Sequence, residues 1–221
     1  MLERIPEPEL MDEPAQAQAY AAADFSTGNQ SFVAAVLQRY APRPEHGVLY
    51  DLGCGPADIT LRLARELPSW RCYGLDGGPN MLQTGIDACA AAGLTERVQL
   101  RLSFLPDPAL PQAHADALVS NSLLHHLSDP LTLWRTISHL AKPGAYVQVM
   151  DLSRPASRDQ ARALVDEYAG DEPEVLRQDF YHSLLAAYRP DEVRAQLNHC
   201  GLQQCAIEQY SDRHWLVSGW I

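Results

Sequence analysis

The residues best suited to chemistry form a glycine-rich motif, Asp51-Leu52-Gly53-Cys54-Gly55, with a further carboxylate at Asp76. Glycine at the first of these positions permits a sharp turn, and at the second it lets a ligand approach the backbone closely. A carboxylate that ends the next strand, as we expect for Asp76, can accept hydrogen bonds from ribose hydroxyls. Together these residues predict a site for a ligand that contains a nucleoside.

The charges around this motif indicate which nucleoside ligand it would take. The dinucleotide fingerprint has a third glycine, whereas this chain has Asp58 there, and a carboxylate at a helix start repels phosphate. Asp51 would instead accept a positively charged group. S-adenosylmethionine carries an ammonium and a sulfonium, so the electrostatics favour it over NAD. A dinucleotide-dependent oxidoreductase and a non-catalytic nucleoside-binding or partner protein remain as alternatives.

The elements that must position this motif alternate between short apolar runs and longer helical patterns. Strands are predicted at 48–52, 71–75, 98–102, 116–120 and 145–150, with helices after the first, second and fourth strands and a helix-rich stretch after the fifth. Two close β-like runs follow at 205–210 and 214–220. Alternation of this kind predicts a parallel sheet with helices on both faces, and the last two runs predict an antiparallel hairpin. Residues 1–45 are interpreted as an N-terminal arm and helical cap, with helices near 15–24 and 32–40, and residues 46–221 as one domain.

Four segments in this order resemble the successive motifs of class I S-adenosylmethionine-dependent methyltransferases: 48–58, 76–82, 121–127 and 142–144. The variant is similar to the members whose acceptors are small molecules such as quinone precursors. The resemblance implies an α/β fold with a Rossmann-like, mostly parallel seven-stranded sheet. It also implies S-adenosylmethionine as cofactor, S-adenosylhomocysteine as product, and methyl transfer to a small-molecule acceptor.

The same resemblance implies the residues that hold the cofactor. They are Asp51, Gly53, Cys54 and Gly55 at the methionine end, Asp76 and Gly77 at the ribose, Met81, Ser103, Phe104 and Leu105 around the adenine, and Asn121 near the sulfonium. Many members of the family carry an acidic residue after the third strand for the adenine amino group. This chain has Leu102 and Ser103 there, and its acid is displaced to Asp107.

Methyl transfer from a sulfonium requires above all that the acceptor atom be held in line, and a hydroxyl or acidic C–H acceptor also needs a base. His125 and His126 are the candidate bases, with His126 preferred; the alternative is that one of them only binds loop backbone. The candidate acceptor contacts are Tyr20, Phe25, Arg154, Phe180, Tyr181 and His182. Two of these have structural alternatives, since Phe180 could belong to a core stripe and Arg154 could pair with acids. No metal site is predicted, because no histidine or cysteine spacing matches a common zinc pattern.

Composition limits the partners and the compartment. With 17 basic and 28 acidic residues, the net charge of −11 argues against nucleic acid, which requires a basic surface. Five cysteines without a C-x-x-C pair favour a reducing, cytoplasmic setting. The sequence shows neither a signal peptide nor an apolar run of ~18 residues, so no membrane span is predicted. The oligomeric state is left open.

Overall fold

A seven-stranded sheet organises the computed structural model, which describes residues 2–7, 12 and 23–221. Its strand order is β3-β2-β1-β4-β5-β7-β6. Strands β1 to β5 are parallel, and β7 runs antiparallel to both β5 and β6. The bounds are β1 Gly47–Leu52, β2 Trp70–Asp76, β3 Val98–Leu102, β4 Ala115–Asn121, β5 Ala141–Leu152, β6 Ala206–Gln209 and β7 His214–Trp220. The predicted fold class and the C-terminal antiparallel hairpin are confirmed.

Helices cover the sheet on both sides. They are α1 Ser26–Arg39, α2 Asp58–Glu66, α3 Pro79–Ala91, α4 Leu131–Leu140, α5 Arg158–Ala169, α6 Glu174–Ala186 and α7 Pro190–His199, with a 3₁₀ turn at Leu124–His126. The helix predicted at 15–24 lies almost wholly outside the described residues. The second predicted N-terminal helix corresponds to α1. Within the described residues, no helix is long and apolar enough to cross a bilayer.

The two faces of the sheet carry separate cores because successive strand residues point to opposite sides. Leu49 packs into the core beneath α1 and α2, together with Phe32 and Leu63. Its neighbour Tyr50 packs into the other core, with Trp134 of α4. Helix α1 is therefore part of the main core of the sheet. The parallel arrangement brings the carboxyl ends of β1, β2 and β4 to one edge, where the predicted motifs lie.

A short N-terminal segment, residues 2–7, crosses near this edge, and we call it the strap. Nε of Arg4 donates to the Ala186 carbonyl at 2.6 Å, and Nη2 of Arg4 donates to the His125 carbonyl at 2.9 Å. The Arg4 guanidinium also lies 4.2 Å from the centroid of the Tyr188 ring. The backbone of Ile5 donates to the Leu185 carbonyl at 3.0 Å. The strap is thus bound to the end of α6 and to the turn that follows β4.

Candidate cofactor and acceptor site

The glycine-rich loop continues directly from β1. The amides of Gly53 and Cys54 both donate to the Leu75 carbonyl, at 2.8 and 3.1 Å, which holds the loop against β2. Gly53 and Gly55 have φ of +73° and +51°, a region that favours glycine. A Cβ placed on Gly55 would meet nothing within 4 Å. The backbone at Gly55 is therefore accessible to a ligand, and the loop fits the cofactor that the resemblance implies.

Asp76 joins this loop to the one that follows β2. Its Oδ2 accepts from the Gly55 amide and its Oδ1 accepts from the Gly78 amide, both at 2.7 Å. Burial raises the pKa of Asp76, while the two amide hydrogen bonds act in the opposite direction. Each carboxylate oxygen keeps a second acceptor position, so the side chain can still receive hydroxyl donors. Gly77, between these residues, is half-buried.

Asp51 lies beneath the loop and is only 2% exposed. Its Oδ2 accepts a hydrogen bond from the Thr60 hydroxyl at 2.6 Å. Burial raises the pKa of Asp51 to about 7; the Thr60 hydrogen bond opposes this rise and the charge of Asp76 adds to it. A cationic group nearby would favour the ionised carboxylate. Asp51 is thus suited to a ligand that carries an ammonium.

Cys54 contributes to this loop mainly through packing. Its side chain is 8% exposed, and its Sγ would lie 2.9 Å from a Cβ placed on Gly74 of β2. Burial and the nearby charges of Asp51 and Asp76 raise the pKa of the thiol well above its usual value. The thiol is therefore poorly suited to act as a nucleophile.

The predicted adenine contacts lie along α3 and the loop after β3. Met81 and Ser103 are buried, whereas Phe104 is 57% exposed and Leu105 packs against the core. The displaced acid, Asp107, stabilises a turn, because its carboxylate accepts hydrogen bonds from the Ser103 hydroxyl and the Ala109 amide, both at 2.8 Å. These hydrogen bonds lower the pKa of Asp107. Its carboxylate is therefore engaged within its own loop.

Asp12 places a carboxylate near the predicted adenine contacts, a role that the sequence did not indicate. Its Oδ1 accepts from the backbone amides of Asn80 and Met81, at 3.0 and 3.1 Å. Unpaired amides at the start of a helix are commonly satisfied in this way. Asp12 lies against the second loop as well, since its Oδ1 would be 2.7 Å from a Cβ on Gly78. The N-terminal chain therefore contacts the start of α3.

Asn121 ends β4, where its Oδ1 is buried and makes no hydrogen bond to any described residue. Buried polar atoms are almost always paired in folded proteins. An acceptor atom in this state is therefore available to a donor on a bound ligand. Its place at the carboxyl edge agrees with the role that the resemblance implies.

The two candidate bases lie beside two carboxylates that the sequence did not point to. Nδ1 of His125 contacts Oδ1 of Asp151, and the His125 amide donates to Asp151 Oδ2 at 3.2 Å. Glu7 of the strap places its Oε1 at 3.4 Å from Nε2 of His125 and at 3.3 Å from Nδ1 of His126. We call Glu7, His125 and His126 the His–Glu cluster.

Burial and charge oppose each other in this cluster. Burial disfavours the imidazolium of His125, but the charges of Asp151 and Glu7 outweigh it, so the pKa of His125 is raised. Burial also raises the pKa of Glu7. For Asp151, the charge and hydrogen bond of His125 outweigh burial and lower the pKa. The His125–Asp151 pair therefore favours the charged forms of both groups.

The predicted acceptor contacts do not converge in the described residues. Phe180 packs with Leu184 and Leu185 in a small core between α5 and α6, as its structural alternative predicts. Tyr181 accepts a long hydrogen bond from Arg158 at 3.4 Å, and His182 is exposed. Phe25, just before α1, is 40% exposed. Tyr20 lies outside the described residues.

Arg154 connects three parts of the chain instead of facing an open pocket. It is 6% exposed. Its three guanidinium nitrogens donate to the Leu2 carbonyl at 3.1 Å, to the Ala187 carbonyl at 2.9 Å, and to Glu192 at 2.6 Å. The structural alternative, in which Arg154 pairs with an acid, describes this arrangement. Arg154 thereby ties the strap to the ends of α6 and α7.

Comparison with known proteins agrees with the fold. Residues 50–147 match the family model described as a methyltransferase domain. This match agrees with the resemblance of the motifs to class I S-adenosylmethionine-dependent methyltransferases. A solved S-adenosylmethionine-dependent methyltransferase from Aquifex aeolicus has a similar fold, with a TM-score of 0.70, 18% identity, and coverage of 95% of this chain and 98% of that one.

Two curated relatives are named for small substrates. The chain is 33% identical over 131 residues to a trans-aconitate 2-methyltransferase of Methylobacterium radiotolerans, covering 57% of this chain and 46% of the relative. It is 30% identical over 106 residues to a demethylmenaquinone methyltransferase of Geobacillus stearothermophilus, covering 48% and 45%. The chain thus spans about half the length of these relatives.

Proposed function

We propose that this protein transfers the methyl group of S-adenosylmethionine to a small-molecule acceptor. The observation that carries the proposal is the arrangement of Asp76, which binds the amides of both glycine loops while Gly55 stays open to a ligand. The buried carboxyl of Asp51 beneath the same loop adds a partner for an ammonium group. These features match the ribose and methionine ends of the cofactor, and the family comparison supports the same ligand.

Bound S-adenosylmethionine supplies a methyl group already activated by its sulfonium. The chain's contribution is then to bind and orient. Asp76 would bind ribose hydroxyls, and Asp51 would bind the ammonium. Asn121, whose Oδ1 has no hydrogen-bond partner among the described residues, would orient a donor at the carboxyl edge of β4. Holding the acceptor atom in line can supply about 7–11 kcal/mol of the barrier reduction.

An acceptor that loses a proton needs a base, and we assign this role to the histidine pair. His126 is the more accessible of the two, with 13% of its side chain exposed against 3% for His125. Asp151 contacts Nδ1 of His125, which fixes the orientation of that ring. His126 would accept the proton, and the His125–Asp151 pair would support it.

For the acceptor, we propose a small organic molecule with an ionisable oxygen or an acidic carbon. The relatives named for trans-aconitate and demethylmenaquinone support a small organic molecule as the acceptor. A net charge of −11 disfavours nucleic acid as the acceptor. All five cysteines are free thiols, which supports a reducing compartment such as the cytoplasm.

The test begins with S-adenosylhomocysteine binding by calorimetry. Wild type should bind, and Asp76→Ala should lose at least ~100-fold in affinity, because it removes the ribose partner and leaves two loop amides unpaired. Asp87→Ala is the matched control, since Asp87 is an exposed acid on α3 whose carboxylate accepts a hydrogen bond from the Gln83 side chain. Equal binding by wild type and Asp76→Ala would contradict the assigned site.

The second stage measures turnover. S-adenosylhomocysteine release is followed with a panel of small carboxylates and phenolic quinone precursors. We expect release with at least one of these classes and a large loss of rate in His126→Ala. Binding without turnover on any acceptor would instead support the non-catalytic alternative.

A further inference from the structure

We propose that the His–Glu cluster binds one divalent transition-metal ion, with Zn²⁺ as the reference ion. Its donors come from two distant parts of the chain, the strap and the turn after β4, yet all lie within 4.8 Å of one another. The side chains of Glu7, His125 and His126 are 7%, 3% and 13% exposed. The fold therefore brings one oxygen and two nitrogen donors together in a nearly closed space.

The distances in the cluster match metal ligands better than hydrogen bonds. Glu7 Oε1 lies 3.4 Å from His125 Nε2 and 3.3 Å from His126 Nδ1. Hydrogen bonds between such groups are usually ~2.7–3.2 Å long. Two ligands at ~2.0–2.1 Å from a tetrahedral zinc ion are separated by roughly 3.3–3.4 Å. The spacing of Glu7 from both rings is thus the spacing that a shared ion requires.

Neighbouring side chains support two of the three ligands, His125 and Glu7. Asp151 contacts Nδ1 of His125, so Nε2 is the nitrogen that faces Glu7. A carboxylate behind a histidine is the usual support of a metal ligand. The Ser183 hydroxyl lies 3.4 Å from Glu7 Oε2, on the other side of that carboxylate, and Glu7 Oε1 makes no hydrogen bond to a described residue.

The donor set also restricts the ion. Imidazole nitrogens favour Zn²⁺ and related first-row ions over Mg²⁺ and Ca²⁺, which prefer oxygen. Two carboxylates, Glu7 and Asp151, are buried here, and a dication would balance their charge. Three ligands of a tetrahedral ion leave one position, as in catalytic zinc sites.

The methyl acceptor could bind the ion at its open position, and this part of the proposal rests on the proposed methyl transfer. With the ion bound, the histidines would serve as ligands, and the role of base that we assign to them belongs to the metal-free protein. An acceptor hydroxyl at the open position would release its proton to solvent water more readily, because the ion lowers the pKa of that hydroxyl. Metal binding also recruits Glu7, so it would tie the strap to the site.

The experiment is a titration of the metal-stripped full chain with Co²⁺, in the absence of cofactor and acceptor. We expect one equivalent to bind with the visible absorption of four- or five-coordinate cobalt, and Zn²⁺ to displace it. Glu7→Gln should weaken binding at least tenfold, and Asp151→Asn by about 10–100-fold through loss of the supporting carboxylate. His46→Gln is the control, since the His46 side chain is 74% exposed beside Glu45 and distant in sequence.

A variant that gains an absorption band shows that loss of cobalt binding in the other variants is not caused by misfolding. Glu7→Cys should add a thiolate-to-cobalt charge-transfer band, which an unfolded cluster would not produce. Absence of cobalt absorption in wild type would overturn the proposal. So would binding that is unchanged in Glu7→Gln and Asp151→Asn, because the ion would then be held by other histidines. Neither result would affect cofactor binding or methyl transfer, which are measured separately.

Discussion

Replacement of Asp51 by asparagine tests the charge that we assign to the methionine end of the cofactor site. The side chain is 2% exposed and accepts from the Thr60 hydroxyl, and asparagine keeps both the shape and that acceptor. The substitution therefore removes the ionisation of Asp51 with little change in packing. Its effect on stability should depend on pH in a direction that the structure specifies.

The magnitude follows from the raised pKa. Burial raises the pKa of Asp51 from 3.8 to about 7. The folded state thus holds the proton more tightly than the unfolded state, so this contribution is fully present below pH 3.8 and is lost as the pH rises through 7. From low to high pH, this contribution to the free energy of unfolding changes by about 4 kcal/mol in total. Roughly 2.5 kcal/mol of that change falls between about pH 5 and about pH 8. Over that range Asp51→Asn should gain stability relative to wild type by this amount.

Urea unfolding of both proteins at several pH values measures this difference directly. Asp58→Asn is the control, because it removes a carboxylate that is 43% exposed at the start of α2. Calorimetry in buffers of different ionisation enthalpy adds a second readout. Near pH 6, S-adenosylhomocysteine should release up to one proton from wild type, since its ammonium favours ionised Asp51, and less from Asp51→Asn. Parallel stability curves together with equal proton release would refute the argument.

Three further substitutions test how the loops and the strap are held. Gly53→Ala should lower the free energy of unfolding by about 1–3 kcal/mol, because φ is +73° and the new Cβ would lie 2.9 Å from Leu123. The control is Gly28→Ala in α1, where nothing lies within 4 Å of the new Cβ, and it should be neutral or stabilising by ~0.5–1 kcal/mol. Equal losses of stability in urea unfolding would contradict this. Arg154→Lys should lower the free energy of unfolding by about 2–3 kcal/mol, since an ammonium cannot replace the three-way guanidinium contact. It should also speed proteolysis near the N-terminus. An unchanged cleavage rate would argue that Arg154 does not hold the strap in place. Asp12→Ala should lose about 1 kcal/mol of stability by uncapping α3, and a thermal melt identical to wild type would show that the cap is dispensable.

Much of the fold could be predicted because its signals are local. Strands β1 to β4 each begin within one residue of the predicted position, and β7 coincides with its predicted run. Short apolar runs bounded by turn residues encode such strands independently of distant contacts. Strand β5 begins four residues earlier than predicted, at Ala141, because Ala141 pairs with Ala115 across a register shift. That extension depends on a neighbouring strand and has no local signal.

The sequence by itself determined which residues make up the candidate cofactor half of the site, since Gly53, Gly55 and Asp76 follow directly from strands whose ends meet at one edge. Only the tertiary structure decided the other half. Asp151 reaches His125 because β4 and β5 are neighbours, with Asn121 paired to Met150. Glu7 reaches the same histidine only because the strap folds back across the chain. Contacts between residues more than a hundred positions apart depend on the path of the whole chain, which no local pattern of residues records.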